Sequence, residues 1–188
     1  MSTTLDVVYA PGKLLSEVLL GKTEHVYIIA EIGINHDGSL QTALELIEAA
    51  KNAGVDAVKF QKRHLSSIYN ADVIEDPNSQ EWNIEYLINE LKEVELSLED
   101  YITIQESCEA LELDLIITPF DVSSADFVSE RGVVAFKNAS CNMTNLTLLD
   151  HMISKKIPLL ISTGMWSDEE IKYAAEYLEA KGAIFSLL

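Results

Sequence analysis

Five short apolar runs in this chain end in residues able to bind anions or move protons. The run Val26–Ala30 leads into Glu31, and the run from Val55 carries Lys59 and Gln61 at its end. Leu113–Thr118 closes on a hydroxyl. Val133–Lys137 closes on a second lysine, followed by Asn138 and Ser140, and Pro158–Ser162 leads into Thr163-Gly164. A polar residue ending one strand means little, and Thr118 by itself reads as a satisfied hydroxyl. Two lysines ending apolar runs need a partner or a route to water. Together with hydroxyls and backbone amides they suit a phosphate or a carboxylate. Glu31 has two readings: an ion pair with Lys59, or a carboxylate that handles a proton beside the anion. His36 lies in the turn Gly33-Ile34-Asn35-His36-Asp37-Gly38 and reads as a turn or hydrogen-bonding residue. His25, His64 and His151 show no metal-ligand spacing with it or with each other.

The elements that must position these groups alternate. Val26–Ala30 is short and continuously apolar, as suits a strand buried on both faces. Ser39 is a candidate N-cap for a helix carrying Leu40, Ala43, Leu44, Ile47 and Ala50, which Gly54 ends. Val55–Phe60 predicts a second strand, and residues 62–80 a long polar loop with Pro77. Helices are expected over 81–94 and 98–112, the second opened by a Ser97/Asp100 capping box. A strand at Leu113–Thr118, a helix over 122–131, a strand at Val133–Lys137 and a helix over 145–155 follow. A strand at Pro158–Ser162, a helix capped by Ser167 and Glu170 and a strand over 183–188 complete the series. Six strands alternating with helices predict an α/β fold with a parallel sheet. Parallel strands put their C-terminal ends on one side, so the five polar endings converge there. Alternation also puts Lys59 and Gln61 on one face. Two architectures stay open: a doubly wound open sheet complete at this length, or a (β/α)8 TIM barrel cut short after about six strands. The apolar end Phe185-Ser186-Leu187-Leu188 hints at the second.

Composition narrows the function. At 188 residues, 48% of them hydrophobic and 23% charged, the chain can bury the core of one domain. Thirteen basic against thirty-one acidic residues give a net charge of −18, which disfavours nucleic acid and anionic membranes as partners. No apolar run approaches the ~18 residues of a membrane span, and the start lacks the pattern of a signal peptide. Cys108 and Cys141 form no CxxC and read as two reduced thiols of a cytoplasmic protein. Eleven acids between Glu81 and Asp114, against the single base Lys92, read as a solvated helical face, with a docking surface for a basic partner as the lesser reading. The absence of GxxxxGK[ST] and of GxGxxG after the first strand argues against a nucleotide triphosphatase and a dinucleotide site.

Five motifs in order resemble the sialic acid synthase family, the N-acetylneuraminate synthases with their legionaminate and pseudaminate relatives. They are Ile29-Ala30-Glu31-Ile32-Gly33-Ile34-Asn35-His36-Asp37-Gly38, Ala57-Val58-Lys59-Phe60-Gln61, Thr118-Pro119-Phe120-Asp121, Phe136-Lys137-Asn138-Ala139-Ser140 and Ile161-Ser162-Thr163-Gly164-Met165. The resemblance runs from about Tyr27 to the last residue. It implies residues 1–25 as an N-terminal extension and 26–188 as part of a TIM-barrel synthase domain, with the last barrel strands and an antifreeze-like domain absent. The implied reaction condenses phosphoenolpyruvate with an N-acetylmannosamine-type sugar and releases phosphate. Lys59, Thr118, Lys137, Ser140 and Ser162 would hold phosphoenolpyruvate, and Glu31 and Gln61 would serve the reacting centre. A divalent metal, Mn2+ or Mg2+, would polarise the sugar aldehyde, with its ligands expected beyond Leu188. Full-length members look dimeric, so a homodimer is expected of the full-length protein. The motifs depart from the family at Ser140-Cys141-Asn142, where members commonly read Ser-Gly-Glu or Ser-Gly-Asp. Two other readings remain: an inactive fragment or anion-binding half-barrel, and a Schiff-base aldolase using Lys59 or Lys137.

Overall fold

The computed structural model describes residues 9–75 and 84–188. Its elements are α1 (Lys13–Leu19), β1 (Ile29–Gly33), α2 (Leu40–Asn52), β2 (Ala57–Lys62), α3 (Leu65–Ile68), α4 (Ala71–Glu75), α5 (Ile84–Glu93) and α6 (Leu98–Ala110). They continue with β3 (Asp114–Pro119), α7 (Val122–Ser129), β4 (Ala135–Asn138), a 3-10 turn at Ser140–Asn142, α8 (Leu146–Ser154), β5 (Leu159–Ile161), α9 (Asp168–Ala180) and β6 (Phe185–Leu187). All neighbouring strands are parallel, and the strand order is β1-β2-β3-β4-β5-β6. A doubly wound sheet reverses its strand order at a switch point. The uninterrupted order here is that of a TIM-barrel wall, six units long.

Helix ends follow the local chemistry. The Ser39 side chain accepts from the Thr42 N–H at 3.2 Å and opens α2. Both expected capping boxes are formed, Ser97 with Asp100 on α6 and Ser167 with Glu170 on α9. Each joins side chain and backbone reciprocally at the first turn.

Strand alternation sorts the core into two layers. Ile32, Val58, Phe60, Leu115, Ile117, Phe136, Leu159 and Ile161 face the helices. Ala57, Ile116, Ala135 and Leu160 face the other way, into the barrel interior, with Leu15 of α1 packed against them. The segment read as an extension therefore supplies a helix that covers the N-terminal end of the interior. Asp114 anchors it there, accepting from the Tyr9 hydroxyl at 3.1 Å, the Gly12 N–H at 2.9 Å and the Tyr27 hydroxyl at 2.6 Å.

Three expectations need correction. The first strand is Ile29–Gly33 and not Val26–Ala30, because Val26 is 76% exposed and pairing with β2 begins at Ile29. The stretch read as a loop over 62–80 holds α3 and α4, and β2 runs on to Lys62; its residues 76–80 lie outside the described residues, as do 81–83 of the stretch expected to be helical over 81–94. The acidic stretch is not wholly a solvated face. Glu90, Glu93, Glu99, Glu106, Glu109 and Glu112 are exposed, but Asp114 is buried under α1 and Glu95 pairs with Lys62.

Candidate functional site

The polar strand endings lie at the C-terminal ends of the strands, on the face opposite α1. Alternation carries the inner face of β2 from Ala57 to Lys59 and Gln61, and that of β4 from Ala135 to Lys137. Register then sets Glu31 beside Lys59, Gln61 beside Thr118, and Lys137 beside Leu160.

Lys59 is the centre of the arrangement. Its ammonium lies 2.8 Å from Glu31 Oε1, and it donates to Thr118 Oγ1 at 3.0 Å and to the Phe60 carbonyl at 3.2 Å. Those three acceptors match its three protons. The side chain is 5% exposed, whereas the Glu31 side chain is 60% exposed. Burial lowers the Lys59 pKa; Glu31 opposes that shift, and Lys137 and Arg63 add to it. Burial also lowers the pKa of half-buried Lys137, opposed by Glu31 and the Cys141 thiol. The structural reading of Glu31, an ion pair with Lys59, is therefore realised. It leaves a solvent-facing carboxylate beside two cations.

Gly33 keeps this corner open. The register slips between Glu31 and Gly33, which places a bulge at the end of β1. Gly33 has φ 60°, and a Cβ there would sit 2.9 Å from Glu31 Oε1 and 3.4 Å from Gln61 Nε2. Glu31 and the Gln61 amide thus flank the same point. The following turn closes against α5: at Gly38, with φ 73°, a Cβ would meet the Glu93 carbonyl at 2.2 Å.

Ser140 and Ser162 lie beyond the ends of β4 and β5 and bond to none of the Lys59 group. The Ser140 carbonyl accepts from Trp166 Nε1 at 2.9 Å, tying the two loops together, and the Ser162 N–H donates to the Asn138 carbonyl at 3.1 Å. Asn142 is in the 3-10 turn with a buried Nδ2 that has no partner among the described residues.

His36 behaves as a turn residue. It is buried and stacks on Phe60 with ring centroids 5.9 Å apart, and its Nδ1 accepts from the Gly38 N–H at 3.2 Å. Burial lowers its pKa, against the pull of Asp37 and Asp100. His25 pairs with Asp56 and His151 with Asp126, while His64 lies among Ser66, Ser67 and Ser123. Among the described residues no three His, Cys, Asp or Glu side chains converge on a common point. Two ammonium groups, an amide, hydroxyls and one carboxylate do not suit a divalent cation either. The residues present do not by themselves fit Mn2+ or Mg2+, whose ligands the family resemblance puts beyond Leu188.

Sequence reasoning missed Arg63 and Asp121. Arg63 lies just past the end of β2, is 5% exposed, and donates from Nη2 to Gln61 Oε1. The sequence reading puts it in the polar stretch after the second strand, and it does lie in the connection between β2 and α3; the spacing 59, 61, 63 was the available signal. Asp121 caps α7 and accepts from the His64 N–H at 2.8 Å, the Ser124 N–H at 2.8 Å, the Ser124 hydroxyl at 2.7 Å and the Ser123 hydroxyl at 2.6 Å. It fastens the end of β2 to the end of β3. A concavity of about 460 Å³ between α8 and α9 lies in the outer layer and includes none of the strand-end residues. No helix among the described residues is long and apolar enough to cross a membrane.

A family model described as the NeuB family matches residues 46–188. An N,N'-diacetyllegionaminic acid synthase of Legionella pneumophila is 40% identical over 83% of this chain and 44% of its own length. An N-acetylneuraminate-9-phosphate synthase of Drosophila melanogaster is 34% identical over 90% of this chain and 46% of its own. The crystal structure of an N-acetylneuraminic acid synthetase from Leptospira borgpetersenii, in complex with citrate, superposes with a TM-score of 0.73 at 30% identity. It covers 86% of this chain and 53% of that one. A truncated 3-deoxy-D-arabino-heptulosonate 7-phosphate synthase from Thermotoga maritima shares the fold at a TM-score of 0.61 and 15% identity, over 86% of this chain and 50% of that one. The chain spans about half the length of the curated relatives it matches. The motif order, the sequential parallel wall and a family match over most of the chain agree: this chain belongs to the NeuB family.

Proposed function

We propose that this chain supplies the phosphoenolpyruvate-binding side of a synthase that makes a sialic-acid-like nonulosonic acid. The observation that supports this best is the buried Lys59 ammonium, bonded to Thr118 and Glu31 and electrostatically coupled to Lys137. In a chain of net charge −18, these cations make a local anion site. Phosphoenolpyruvate carries a phosphate and a carboxylate on a three-carbon enol. Lys59, Thr118 and Lys137 would hold its oxygens, with Ser140 and Ser162 supplying hydroxyls from the adjoining strand ends.

The entering anion would compete with Glu31 for the Lys59 ammonium. Exposed Glu31 can turn away without unfolding anything, and its carboxylate is then free to take a proton. In the reaction, C3 of the enol bonds to the aldehyde carbon of an N-acetylmannosamine-type sugar as the C=O π bond opens, and the aldehyde oxygen takes a proton from solvent to become a hydroxyl. Water adds at C2, and phosphate leaves by cleavage of the C2–O bond. Lys59 and Lys137 hold the departing phosphate, Gln61 orients polar atoms beside Glu31, and Glu31 takes the proton that water gives up. The three acceptors around Lys59 hold it as an ammonium, which favours electrostatic over nucleophilic use. We place the whole enzyme in the cytoplasm, as a homodimer.

The test is phosphoenolpyruvate binding and phosphate release in the full-length protein, with Lys59→Met and Lys137→Met. Each replacement keeps an apolar stem and deletes a charge-assisted contact worth about 1.5–3 kcal/mol, so affinity should fall roughly 10- to 150-fold. Wild-type affinity in both variants would remove the anion-site assignment.

A further inference from the structure

Arg63 is a buried cation with no ion pair among the described residues. Glu95, the acid that acts on it most strongly, is bonded to Lys62. Burying an unpaired guanidinium is costly. Two contacts offset that cost: the guanidinium carbon lies 4.3 Å from the Phe120 ring centroid, and Nη2 donates to Gln61 Oε1.

The second contact has a directional consequence. A primary amide has an acceptor end and a donor end. A guanidinium can only donate, so it fixes the oxygen of Gln61 towards itself and turns Nε2 the opposite way. Nε2 is found on that opposite side, flanking Gly33 together with Glu31 Oε1. The Tyr101 hydroxyl also donates to the backbone carbonyl of Gln61, which fixes the residue from behind. Phe120 carries Arg63 and lies between Pro119 of β3 and Asp121, the α7 cap, so the support comes from a neighbouring strand end.

We propose that Arg63 is a positioning residue that locks the Gln61 amide as a hydrogen-bond donor towards the Glu31 corner of the site. Gln61 then offers N–H groups to an incoming oxygen and accepts nothing from it, and Glu31 alone remains to take up a proton. The inference rests on the function proposed above for its kinetic consequence, but not for the geometry itself.

Two measurements test it. In the intact protein labelled with 15N-glutamine, the Gln61 side-chain amide signals are identified by their loss in Gln61→Ala. In Arg63→Met they should move from their dispersed position towards that of a free glutamine; unchanged signals overturn the proposal. This reading needs no activity. Where condensation is measurable, Arg63→Met should lower kcat about 10- to 100-fold. KM for phosphoenolpyruvate should change less than threefold, and the double variant with Gln61→Ala should be no slower than Gln61→Ala alone. Additive losses, or a KM increase as large as that of Lys59→Met, would make Arg63 an independent anion ligand and overturn it. If Arg63→Met does not fold, Arg63→Lys carries both readings. A lysine keeps the charge without the planar donor edge, so partial movement of the amide signals and an intermediate kcat are expected. A wild-type protein that binds no phosphoenolpyruvate would defeat the functional proposal, while the amide signals would still decide the role of Arg63.

Discussion

Glu31 and Lys59 share one bond but stand in different surroundings, one open to solvent and the other enclosed. That asymmetry sets what each can do. Glu31→Gln keeps the shape and a hydrogen bond to Lys59 but cannot take a proton. Turnover in the full-length enzyme should fall about 10²–10⁴-fold while phosphoenolpyruvate still binds. Unchanged turnover with a lowered melting temperature would leave Glu31 as a structural ion-pair partner only. Lys59 gives a pH signature. Burial lowers its pKa from the ordinary 10.5, so its charge is lost at lower pH than that of a free lysine. Phosphoenolpyruvate affinity should therefore decline as pH rises towards 10.5, beginning earlier than an exposed lysine would allow. In Lys59→Met the part of that decline due to Lys59 should vanish, and an identical profile in the variant would assign the titration elsewhere. The placement of Gln61 beside Lys59 was legible in the sequence because alternation forces residues two apart onto one face, and that of Thr118 and Lys137 because parallel strands put their C-terminal ends on one side. Arg63 was not, because it lies in the connection beyond β2, where alternation no longer dictates which way a side chain faces.

At the scale of elements, the site depends on strand ends that are tied together sideways. Asp121 is the tie between β2 and β3. Burial alone would raise its pKa, but hydrogen bonds from Ser123, Ser124 and His64 outweigh that and hold it below the ordinary 3.8. A carboxylate with a depressed folded value stabilises fully above its unfolded pKa and loses that contribution as pH falls through the folded one. The difference in stability between wild type and Asp121→Ala should thus be about 2 kcal/mol near neutrality. It should shrink only below pH 3.8, which denaturant melts at several pH values would read. A difference independent of pH down to the acid transition would mean the hydroxyl and amide contacts do not need the charge. The caps at Ser39, Ser97 and Ser167 were readable from residue type and spacing, because a cap is a local interaction. The limits of β1 were not. Val26 and Ile28 look like strand by hydrophobicity yet stay 76% and 51% exposed, since pairing with β2 starts only at Ile29. The 3-10 turn at Ser140–Asn142 carries no periodic signal at all.

The whole molecule is a barrel wall with two unpaired edges among the described strands, β1 and β6. The alternation of strands and helices was plain in the sequence, but the choice between open sheet and barrel required the strand order, which is a long-range fact. Its consequence concerns the 188-residue polypeptide on its own. The N-terminal end of the interior is closed, because Ala57, Ile116, Ala135 and Leu160 are buried beneath α1 with Tyr27, Ile29 and Val134 packed against them, so exposed apolar surface lies at the sheet edges. Near the two edges, Ile28, Ile184, Leu187 and Leu188 are between 38% and 58% exposed. Edges of this kind pair with other chains. A net charge of −18 opposes association, but its repulsion is screened over about 10 Å at 0.1 M salt and about 3 Å at 1 M. The polypeptide of residues 1–188 should therefore be more monomeric at low ionic strength and associate as salt is raised. Light scattering after size-exclusion chromatography, at two salt concentrations, measures this directly. Phosphoenolpyruvate should bind weakly through Lys59 and Lys137. Phosphate release with manganese and N-acetylmannosamine should stay near background, since β1 and β6 leave the wall unclosed between them. A monomer at every salt concentration would mean that the edges are protected. Robust phosphate release from that monomer would show that the six units hold all the groups the reaction needs.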